Sequence, residues 1–221
     1  MRLDEYLLCQ KFVDSRMRAK RAVKLGFVIV DGVAVTKPSF EVPYGSSVEF
    51  DSEGGRSAGF FKLKEIQAQC NLIHEGDRVL DIGSSAGGFL MFASQIASEV
   101  VGIEFSRDFT DVLQEVCDEC PNVRLEFGDA FTFDFSPLGT FDVILNDLTL
   151  VPHDSISVLR RVIGSLREGG RVLQVVKLQH AQDMEGMIGE LESLGLVVEA
   201  VLDAKKREMY VIAKKAQDSV K

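Results

Sequence analysis

From residue 78 onward, short apolar segments rich in Val, Ile and Leu alternate with longer segments of helical periodicity. Seven apolar segments are predicted to be strands, at residues 78–83, 99–104, 122–127, 141–147, 171–177, 196–203 and 209–215. Helices are predicted between most of them, at residues 87–98, 107–118, 155–167 and 181–194. Such alternation indicates an α/β fold, a doubly wound and mostly parallel sheet that binds ligands at the carboxyl ends of its strands.

The last two predicted strands are joined by a connection that is too short for a parallel crossover. Only the residues "AKKRE" (204–208) lie between them, whereas a parallel connection needs a dozen residues or more. The two strands are therefore predicted to form a hairpin, and the last strand should run antiparallel to the rest of the sheet.

The chain before this alternation has a different pattern and is predicted to be a small α+β domain. Short helices are expected at residues 3–9 and 16–25, the second capped by Ser15 and ended by Gly26. Asp31-Gly32 then joins two β-rich runs, which is a strong signal for a hairpin. We expect one domain over residues 1–50, a linker at residues 51–59 ("DSEGGRSAG") and a second domain over residues 60–221. The glycine-containing linker is expected to keep the sites of the two domains physically separate.

The charge of the chain is unevenly distributed. The net charge is −9, yet residues 1–55 carry eight basic and eight acidic residues, so the whole acidic excess lies after residue 55. Within the helix at 16–25, four basic residues fall in a sector of about 140° at 100° per residue: Arg16, Lys20, Arg21 and Lys24. A solvated face is one explanation of such a sector. In an otherwise acidic protein, contact with phosphates is the better one.

The sequence contains no apolar run that could span a bilayer and no signal peptide at residues 1–8. Four cysteines lie at spacings that suggest no disulfide framework. A cytoplasmic location without membrane association is therefore expected. Cys117 and Cys120 have CxxC spacing, but zinc would need two further ligands, and no second CxxC or paired His motif exists.

A glycine-rich turn and three carboxylates indicate a nucleoside-containing ligand. The motif "DIGSSAGGF" (81–89) follows the first predicted strand of the sheet and opens a helix, where small residues would let a ligand approach the backbone. Glu104 ends the next strand and could accept hydrogen bonds from ribose hydroxyls. Asp129 follows the third strand and could accept one from an adenine amino group. Asp81 lies beside the turn.

Two lysines and two carboxylates are expected at the same sheet edge. Lys177 ends the fifth strand, Asp147 ends the fourth, and Glu208 begins the reversed last strand. Lys62 lies on a helix before the first strand that could cross this edge. Lys177 alone could be a strand-end lysine whose ammonium reaches solvent, but the convergence favours a role in chemistry.

Residues 2–38 resemble the S4 RNA-binding module. The resemblance includes the opening Arg2-Leu3-Asp4, Ser15-Arg16 before the basic helix, Gly26, Val30-Asp31-Gly32 and Lys37-Pro38. It implies structured RNA as the partner. The RNA-binding residues that we expect are Arg2, Arg16, Arg18, Lys20, Arg21, Lys24 and Lys37.

The glycine turn and the three acids resemble the cofactor site of class I methyltransferases. The resemblance implies a Rossmann-like domain and S-adenosylmethionine as the cofactor. The cofactor-binding residues that we expect are Asp81, Gly83, Ser84, Gly87, Gly88, Phe89, Glu104, Asp129 and Asp147.

The larger domain resembles the FtsJ/RrmJ family of RNA 2′-O-ribose methyltransferases. The blocks "RSAGFFKLKEI", "GSSAGGF", "VVK" and "REMYVIA" follow in the family's order, and an S4 module in front of such a domain is similar to the TlyA (haemolysin A) group. The resemblance implies a catalytic tetrad of Lys62, Asp147, Lys177 and Glu208, no metal, and ribosomal RNA or ribosomal subunits as the partner. Ala86 and residues 148–152 depart from the family pattern, which affects the expected pocket for the target nucleotide.

Two other functions remain open from the sequence. One is a class I methyltransferase that acts on a small molecule or a protein, with the S4-like domain as a recruitment module. The other is a non-enzymatic RNA-binding protein that retains affinity for the cofactor. Loss of a tetrad residue would be expected of the second, and all four are present.

Overall fold

A computed structural model describes residues 1–13, 16–50, 57–148, 150–177, 183–203 and 208–217 of the chain. Within these ranges it does not describe the side chains of Met17, Arg18, Arg21, Lys177, Asp183, Met184 and Asp203. Several sequence predictions fall outside the described residues: the Ser15 cap, residues 51–56 of the linker and the side chain of Lys177. In the described part of the chain, no helix is both long and apolar enough to cross a membrane.

The N-terminal domain contains two helices and a small antiparallel sheet, as the sequence predicted. Its elements are α1 (Leu3–Cys9), α2 (Arg16–Lys24), β1 (Val28–Val30), β2 (Val33–Ala34) and β3 (Val48–Phe50), with the strands in the order β2-β1-β3. Gly26 follows α2 with a φ of 75°, a left-handed conformation that glycine adopts without strain. Asp31 and Gly32 also have positive φ values, 51° and 75°, as a two-residue hairpin turn requires. Strand β3 was not predicted.

The C-terminal domain is built on a seven-stranded sheet. Its strands are β4 (Arg78–Ile82), β5 (Glu99–Glu104), β6 (Val123–Phe127), β7 (Phe141–Asn146), β8 (Leu166–Lys177), β9 (Leu196–Asp203) and β10 (Glu208–Lys215), in the order β6-β5-β4-β7-β8-β10-β9. Its helices are α3 (Ala58–Cys70), α4 (Gly88–Ala93), α5 (Thr110–Glu119), α6 (Pro152–Val162) and α7 (Asp183–Ser193). Strands β4 to β8 pair in parallel, and β10 is antiparallel to both β8 and β9. This confirms the α/β fold and the reversed last strand.

Several element boundaries differ from the sequence prediction. The predicted helix over 155–167 ends at Val162, a 3-10 turn follows, and β8 already begins at Leu166. Leu166 is buried and pairs with Phe141, which is also buried, so the sheet rather than the helix takes up this apolar side chain. Helix α4 ends at Ala93, five residues before the predicted end.

Helices α3 and α4 pack closely because a glycine lies at their contact. A Cβ atom on Gly88 would overlap Ser57 Oγ and would lie 2.5 Å from the backbone nitrogen of Phe60. Phe60 is buried and makes an edge-to-face contact with Phe92, with 5.4 Å between ring centroids. Since α3 begins at Ala58, this contact fixes the start of the helix that carries Lys62.

The two domains are in direct contact in the structure. Leu25, at the end of α2, belongs to the same buried apolar cluster as Phe60 and Leu63 of α3. The backbone N–H of Ala58 donates a hydrogen bond to the carbonyl of Gly26 at 3.0 Å. Helix α3 is therefore anchored to both domains. The division at residues 50 and 60 stays a prediction.

The glycine contact gives a stability prediction with an internal control. We expect Gly88→Ala to lower stability by about 1–3 kcal/mol, the usual cost of overpacking, because backbone atoms of α3 cannot move aside easily. Gly189 is an exposed residue of α7 with open space around its Cα, so Gly189→Ala should raise stability by about 0.5–1 kcal/mol through helix propensity. Urea denaturation followed by circular dichroism measures both. Equal effects of the two substitutions would contradict the packing role of Gly88.

Candidate active site

The predicted tetrad positions lie at one edge of the sheet. Asp147 follows the carboxyl end of β7, and Lys177 is the last residue of β8. Glu208 is the first residue of β10, and its Cα pairs directly with that of Lys177 across the two antiparallel strands. Because β10 runs backwards, its beginning lies at the edge where the parallel strands end.

Lys62 is held between the carboxylates of Asp147 and Glu208. Its Nζ lies 2.8 Å from Asp147 Oδ2 and 3.1 Å from Glu208 Oε2, and its side chain is only 16% exposed. The ammonium also lies over two aromatic rings, 5.3 Å from the centroid of Tyr210 and 5.8 Å from that of Phe89. Ion pairs and ring faces together compensate for the lost hydration of a buried ammonium.

The same contacts determine the protonation of Lys62. Burial lowers the pKa of Lys62, but the charges of Asp147 and Glu208 outweigh it and raise the pKa above its ordinary value. Burial also raises the pKa of Tyr210 to about 12. Near neutral pH, Lys62 is therefore a cation and the Tyr210 hydroxyl is protonated.

The side chain of Lys177 lies outside the described residues, so only its backbone position is known. That position is opposite Glu208 and at the end of a strand whose preceding residues, Val175 and Val176, are buried. The predicted placement of Lys177 at the carboxyl edge, next to Glu208, is therefore found for its backbone. Its catalytic role stays a prediction.

The glycine-rich turn connects β4 to α4, as predicted, and two of its glycines have a packing role. A Cβ on Gly87 would lie 2.8 Å from Val116 Cγ2 of α5, and the φ of Gly87 is 75°. The space at Gly88 is filled by the start of α3. Helix packing therefore uses the room on the Cβ side of these two glycines, and their role in cofactor binding stays a prediction.

Gly83 forms the tight part of the turn. Its φ is 89°, and its N–H donates to the carbonyl of Ile103 at the end of β5. A Cβ at this position would lie 2.9 Å from Leu148 Cδ2 and 3.6 Å from the carbonyl oxygen of Asp147. The neighbouring Ser84 is buried and also bonds to Ile103 through its N–H. Gly83 thus brings the turn against the end of β7, beside the tetrad.

Asp81 is a buried carboxyl group at the centre of this edge. It is 1% exposed, and neither of its carboxylate oxygens has a hydrogen-bond partner among the residues that the structure describes. Burial raises the pKa of Asp81 to about 7, and the charges of Asp147 and Glu104 act in the same direction. The neighbouring Ser84 hydroxyl opposes this shift, but in the structure it donates to the backbone carbonyl of Asp81 and not to the carboxylate. A buried carboxylate without a donor is costly, so this position favours a ligand that brings a cationic donor.

Glu104 ends β5, and Asp129 follows the end of β6, as predicted. The Glu104 carboxylate is buried and accepts backbone hydrogen bonds from Ser85 and Ser106, both at 2.7 Å. Its carbonyl accepts from Gly128 at 2.9 Å, which ties the ends of β5 and β6 together. Asp129 is half-buried, and its side chain accepts a hydrogen bond from the N–H of Phe131. Both carboxylates keep free lone pairs for hydroxyl or amino donors.

A cleft of about 830 Å³ opens at this edge of the sheet, and both domains line it. The C-terminal domain contributes residues 83–86, 88 and 89 of the turn, Glu104, Asp147 and Glu208, and the N-terminal domain contributes Lys24 and parts of β1 and β2. Asp81, Gly87 and Asp129 are not among the lining residues. The expectation that the linker separates the two sites is therefore wrong, because the hairpin lies beside the edge that carries the predicted tetrad.

The predicted RNA-binding residues fall into two groups. Arg2 and Arg16 are paired with acids: Arg2 forms two hydrogen bonds to the buried Asp4, and Arg16 lies 3.0 Å from Glu5. Lys20, Lys24 and Lys37 are exposed, whereas the side chains of Arg18 and Arg21 lie outside the described residues. On the opposite side of α2, Ala19, Ala22 and Val23 are buried. The exposed lysines are therefore the better candidates for phosphate contacts.

The four cysteines are free, and Cys117 and Cys120 are half-buried at the end of α5. Burial raises the pKa of the Cys117 thiol. Across the described ranges, no three His, Cys, Asp or Glu side chains are grouped closely enough to hold a metal ion.

Sequence reasoning missed two aromatic residues of the cleft. Tyr210 lies inside the block "REMYVIA", two residues after Glu208, and the two-residue period of a strand was the signal that could have placed its side chain on the same face of β10. Phe61 precedes Lys62 and also lines the cleft. Phe89 was predicted, but it is only 5% exposed and packs in the apolar core beneath Lys62.

Two family profiles match the chain. Residues 1–48 match the S4 domain, and residues 56–215 match the FtsJ-like methyltransferase. A Legionella pneumophila protein named "Ribosomal RNA large subunit methyltransferase E" is 25% identical over 189 residues, which are 74% of this chain and 86% of that protein. A protein of the same name from Natronomonas pharaonis is 41% identical over 58 residues, 25% of this chain and only 23% of that protein. The chain thus spans less than a quarter of the length of that relative.

Solved structures share the fold. A "Putative hemolysin" from Streptococcus thermophilus has a TM-score of 0.65 at 20% identity, covering 98% of this chain and 89% of that one. Aeropyrum pernix fibrillarin, solved with bound S-adenosyl-L-methionine, has a TM-score of 0.58 at 23% identity, covering 64% and 68%. With the profile match over residues 56–215, the chain belongs to the FtsJ-like methyltransferase family, and an S4 domain precedes its methyltransferase domain.

Proposed function

We propose that the protein is an S-adenosylmethionine-dependent methyltransferase that modifies a ribose 2′-hydroxyl of ribosomal RNA. The observation that carries the proposal is the Lys62 cluster, in which one helix and two strands bring an ammonium and two carboxylates together beside the cofactor turn. The curated relatives carry the name of a ribosomal RNA methyltransferase, and the S4 domain supports RNA as the substrate.

The residues at the carboxyl edge fit S-adenosylmethionine. Asp81 offers a buried carboxylate without a partner in the described structure, which suits the α-ammonium of the cofactor. Glu104 and Asp129 offer acceptors for ribose hydroxyls and for the adenine amino group. Asp81, Glu104 and Asp147 are close enough for their charges to act on one another, which also suits a cofactor that carries positive charge. When bound, S-adenosylmethionine supplies an electrophilic methyl group.

In this proposal Lys62 orients and stabilises but does not abstract the proton. Its pKa lies above the ordinary value because of Asp147 and Glu208, so it holds its proton at neutral pH and cannot accept another. Its ammonium can hydrogen-bond the ribose oxygen and favour the negative charge that develops there. Asp147 and Glu208 fix the position of Nζ and limit the cost of burying it.

Lys177 is then the candidate base or orienting group. Its backbone pairs with that of Glu208, so its amine can work in the same cluster as Lys62. A second cation nearby lowers the pKa of a lysine and makes a neutral amine more available to take the 2′-hydroxyl proton. The residues act by binding, orientation and proton transfer.

The cofactor prediction uses the titration of Asp81. Its pKa is raised to about 7 without ligand, and an ammonium would favour its ionised form, so binding must release the proton of Asp81 below that pH. Affinity for S-adenosylmethionine should therefore rise with pH between pH 5.5 and 7, by up to about tenfold per unit. The Asp81→Asn variant should bind S-adenosylmethionine weakly, and its affinity should not depend on pH in this range. Isothermal titration calorimetry measures both.

The exposed Asp111 provides the control for the cofactor prediction. Asp111→Asn should keep both the affinity and the pH dependence of the original protein. A pH dependence that survives in Asp81→Asn would contradict the assignment of Asp81.

The catalytic prediction concerns Lys177 and tests the proposed reaction itself. Ribosomal subunits incubated with methyl-labelled cofactor should yield labelled RNA, and the label should appear in alkali-resistant dinucleotides because a 2′-O-methyl group blocks alkaline cleavage. Lys177→Ala should lower kcat by at least ~10²-fold, the typical contribution of a general base, with the cofactor affinity preserved.

Lys214 is a suitable control because it is an exposed lysine on β10 at the far end from Glu208. Lys214→Ala should retain the methylation rate. Label in alkali-sensitive nucleotides would contradict ribose methylation, and label in protein or small molecules alone would favour the recruitment alternative.

The RNA prediction concerns the exposed lysines of α2. The double variant Lys20→Glu and Lys24→Glu should weaken RNA binding. The slope of the logarithm of the binding constant against the logarithm of the salt concentration should also become shallower, by about 0.7–0.9 for each lost phosphate contact. The double variant Lys64→Glu and Lys214→Glu makes the same change in net charge at exposed residues of the C-terminal domain. Fluorescence anisotropy over a salt series compares them, and equal slopes would exclude a specific role for α2.

A further inference from the structure

The cleft extends beyond the catalytic residues into a groove between α3 and the N-terminal hairpin. On the α3 side it is lined by Phe61, Glu65 and Gln69, and on the hairpin side by Ile29, Val33 and Thr36. We call this groove the α3–hairpin slot. It exists because the contact between Gly26 and Ala58 brings the two domains together.

The α3 wall of the slot continues the catalytic site. At 100° per residue, Phe61, Lys62, Glu65 and Gln69 lie within a sector of about 100° on α3. Phe61, Glu65 and Gln69 are exposed, whereas Lys62 is bound in its ion pairs. A ligand group in the slot is therefore within about two helical turns of the ammonium that would hold the ribose.

Phe61 presents a fixed aromatic surface to the slot. Its side chain is 41% exposed, yet its ring makes an edge-to-face contact with Phe60, with centroids 5.4 Å apart and planes at 76°. Phe60 is itself buried against Phe92 at 5.4 Å and 83°. The ring is thus held by the core from one side, while its remaining surface is available for stacking.

The charges of the two walls determine how RNA would lie. The α3 wall carries Glu65, and its cation Lys62 is already paired with two carboxylates, so this wall repels phosphates. Lys24 lies on the opposite side, where it continues the exposed lysines of α2 into the cleft. The backbone of the RNA should follow α2, with the bases directed towards α3.

We propose that the α3–hairpin slot takes one unpaired RNA base next to the methylated nucleotide, stacked on Phe61 and enclosed by the hairpin. This inference rests on the proposed function. Glu65 and Gln69 can accept and donate hydrogen bonds at the base edge. The substrate is then RNA with splayed, single-stranded bases at the target, because a base within a duplex cannot enter between two protein walls.

The test compares Phe61→Ala with Phe61→Trp in the full chain, using ribosomal subunits as substrate. Phe61→Ala should raise the KM for RNA about 5- to 100-fold, the range for one stacked base, with kcat and cofactor affinity unchanged, and Phe61→Trp should restore the KM. Phe131→Ala is the control, since Phe131 is also 41% exposed but does not line the cleft.

A second variant approaches the slot from the other wall. Thr36→Glu places a carboxylate at an exposed position of the hairpin side and should also raise the KM for RNA. Because both substitutions act on one bound base, the double variant should show less than the product of the two single effects.

Binding measurements separate this inference from the proposed function. With a fluorescein-labelled RNA hairpin carrying an unpaired loop, Phe61→Ala should weaken binding, and with a blunt duplex of the same stem it should not. If ribose methylation is found but Phe61→Ala leaves KM and loop binding unchanged, the slot is overturned and the proposed function stands. If no RNA accepts the methyl group, the proposed function fails. The slot is then overturned as well if Phe61→Ala changes the affinity for the looped hairpin and for the blunt duplex equally.

Discussion

The ion pairs of Lys62 with Asp147 and Glu208 connect three elements that are distant in the sequence: α3, β7 and β10. Burying three charged groups is favourable only when their geometry is well fixed, so the cluster requires each element to end or begin at the same place. The reversed β10 meets this requirement, because only a strand antiparallel to β8 can begin where the parallel strands end. The sheet order is thus a condition for the site. The rings of Tyr210 and Phe89 complete the enclosure of the ammonium.

Helix α3 links this cluster to the rest of the molecule. Its buried side packs on Gly88 of the glycine-rich turn and shares an apolar cluster with Leu25 of the N-terminal domain. Its other side carries Lys62 and lines the cleft. A shift of α3 would therefore change the glycine-rich turn, the ion pairs of Lys62 and the domain contact together. Under the proposed function, this arrangement couples RNA docking on the N-terminal domain to the position of a catalytic ammonium.

Local sequence signals predicted the structure correctly at two kinds of place. In one, the residue types strongly favour a particular backbone conformation, and in the other, the chain connectivity permits only one strand arrangement. Asp31-Gly32 gave the hairpin through its positive φ values, and the short connection at 204–208 gave the reversed β10. The edge placement of Asp81, Glu104, Asp147 and Glu208 followed from strand order alone. Features that depend on packing between distant segments were not readable. These include the start of β8 at Leu166, the ion pairs of Arg2 and Arg16, the use of Gly88 in helix packing, and the docking of the hairpin beside the cleft.

The acidic character of the chain can be reconciled with RNA as a substrate through the position of its charges. The carboxylates of Asp81, Glu104 and Asp147 lie where a positively charged cofactor is proposed to bind, and the exposed lysines of α2 lie on the other domain. Lys62 adds little attraction for phosphate, because two carboxylates already compensate its charge. Electrostatic attraction would therefore hold the RNA at α2 and not at the catalytic edge. Selection of the target nucleotide must then come from short-range contacts within the cleft, and the largest exposed apolar surface there is the ring of Phe61.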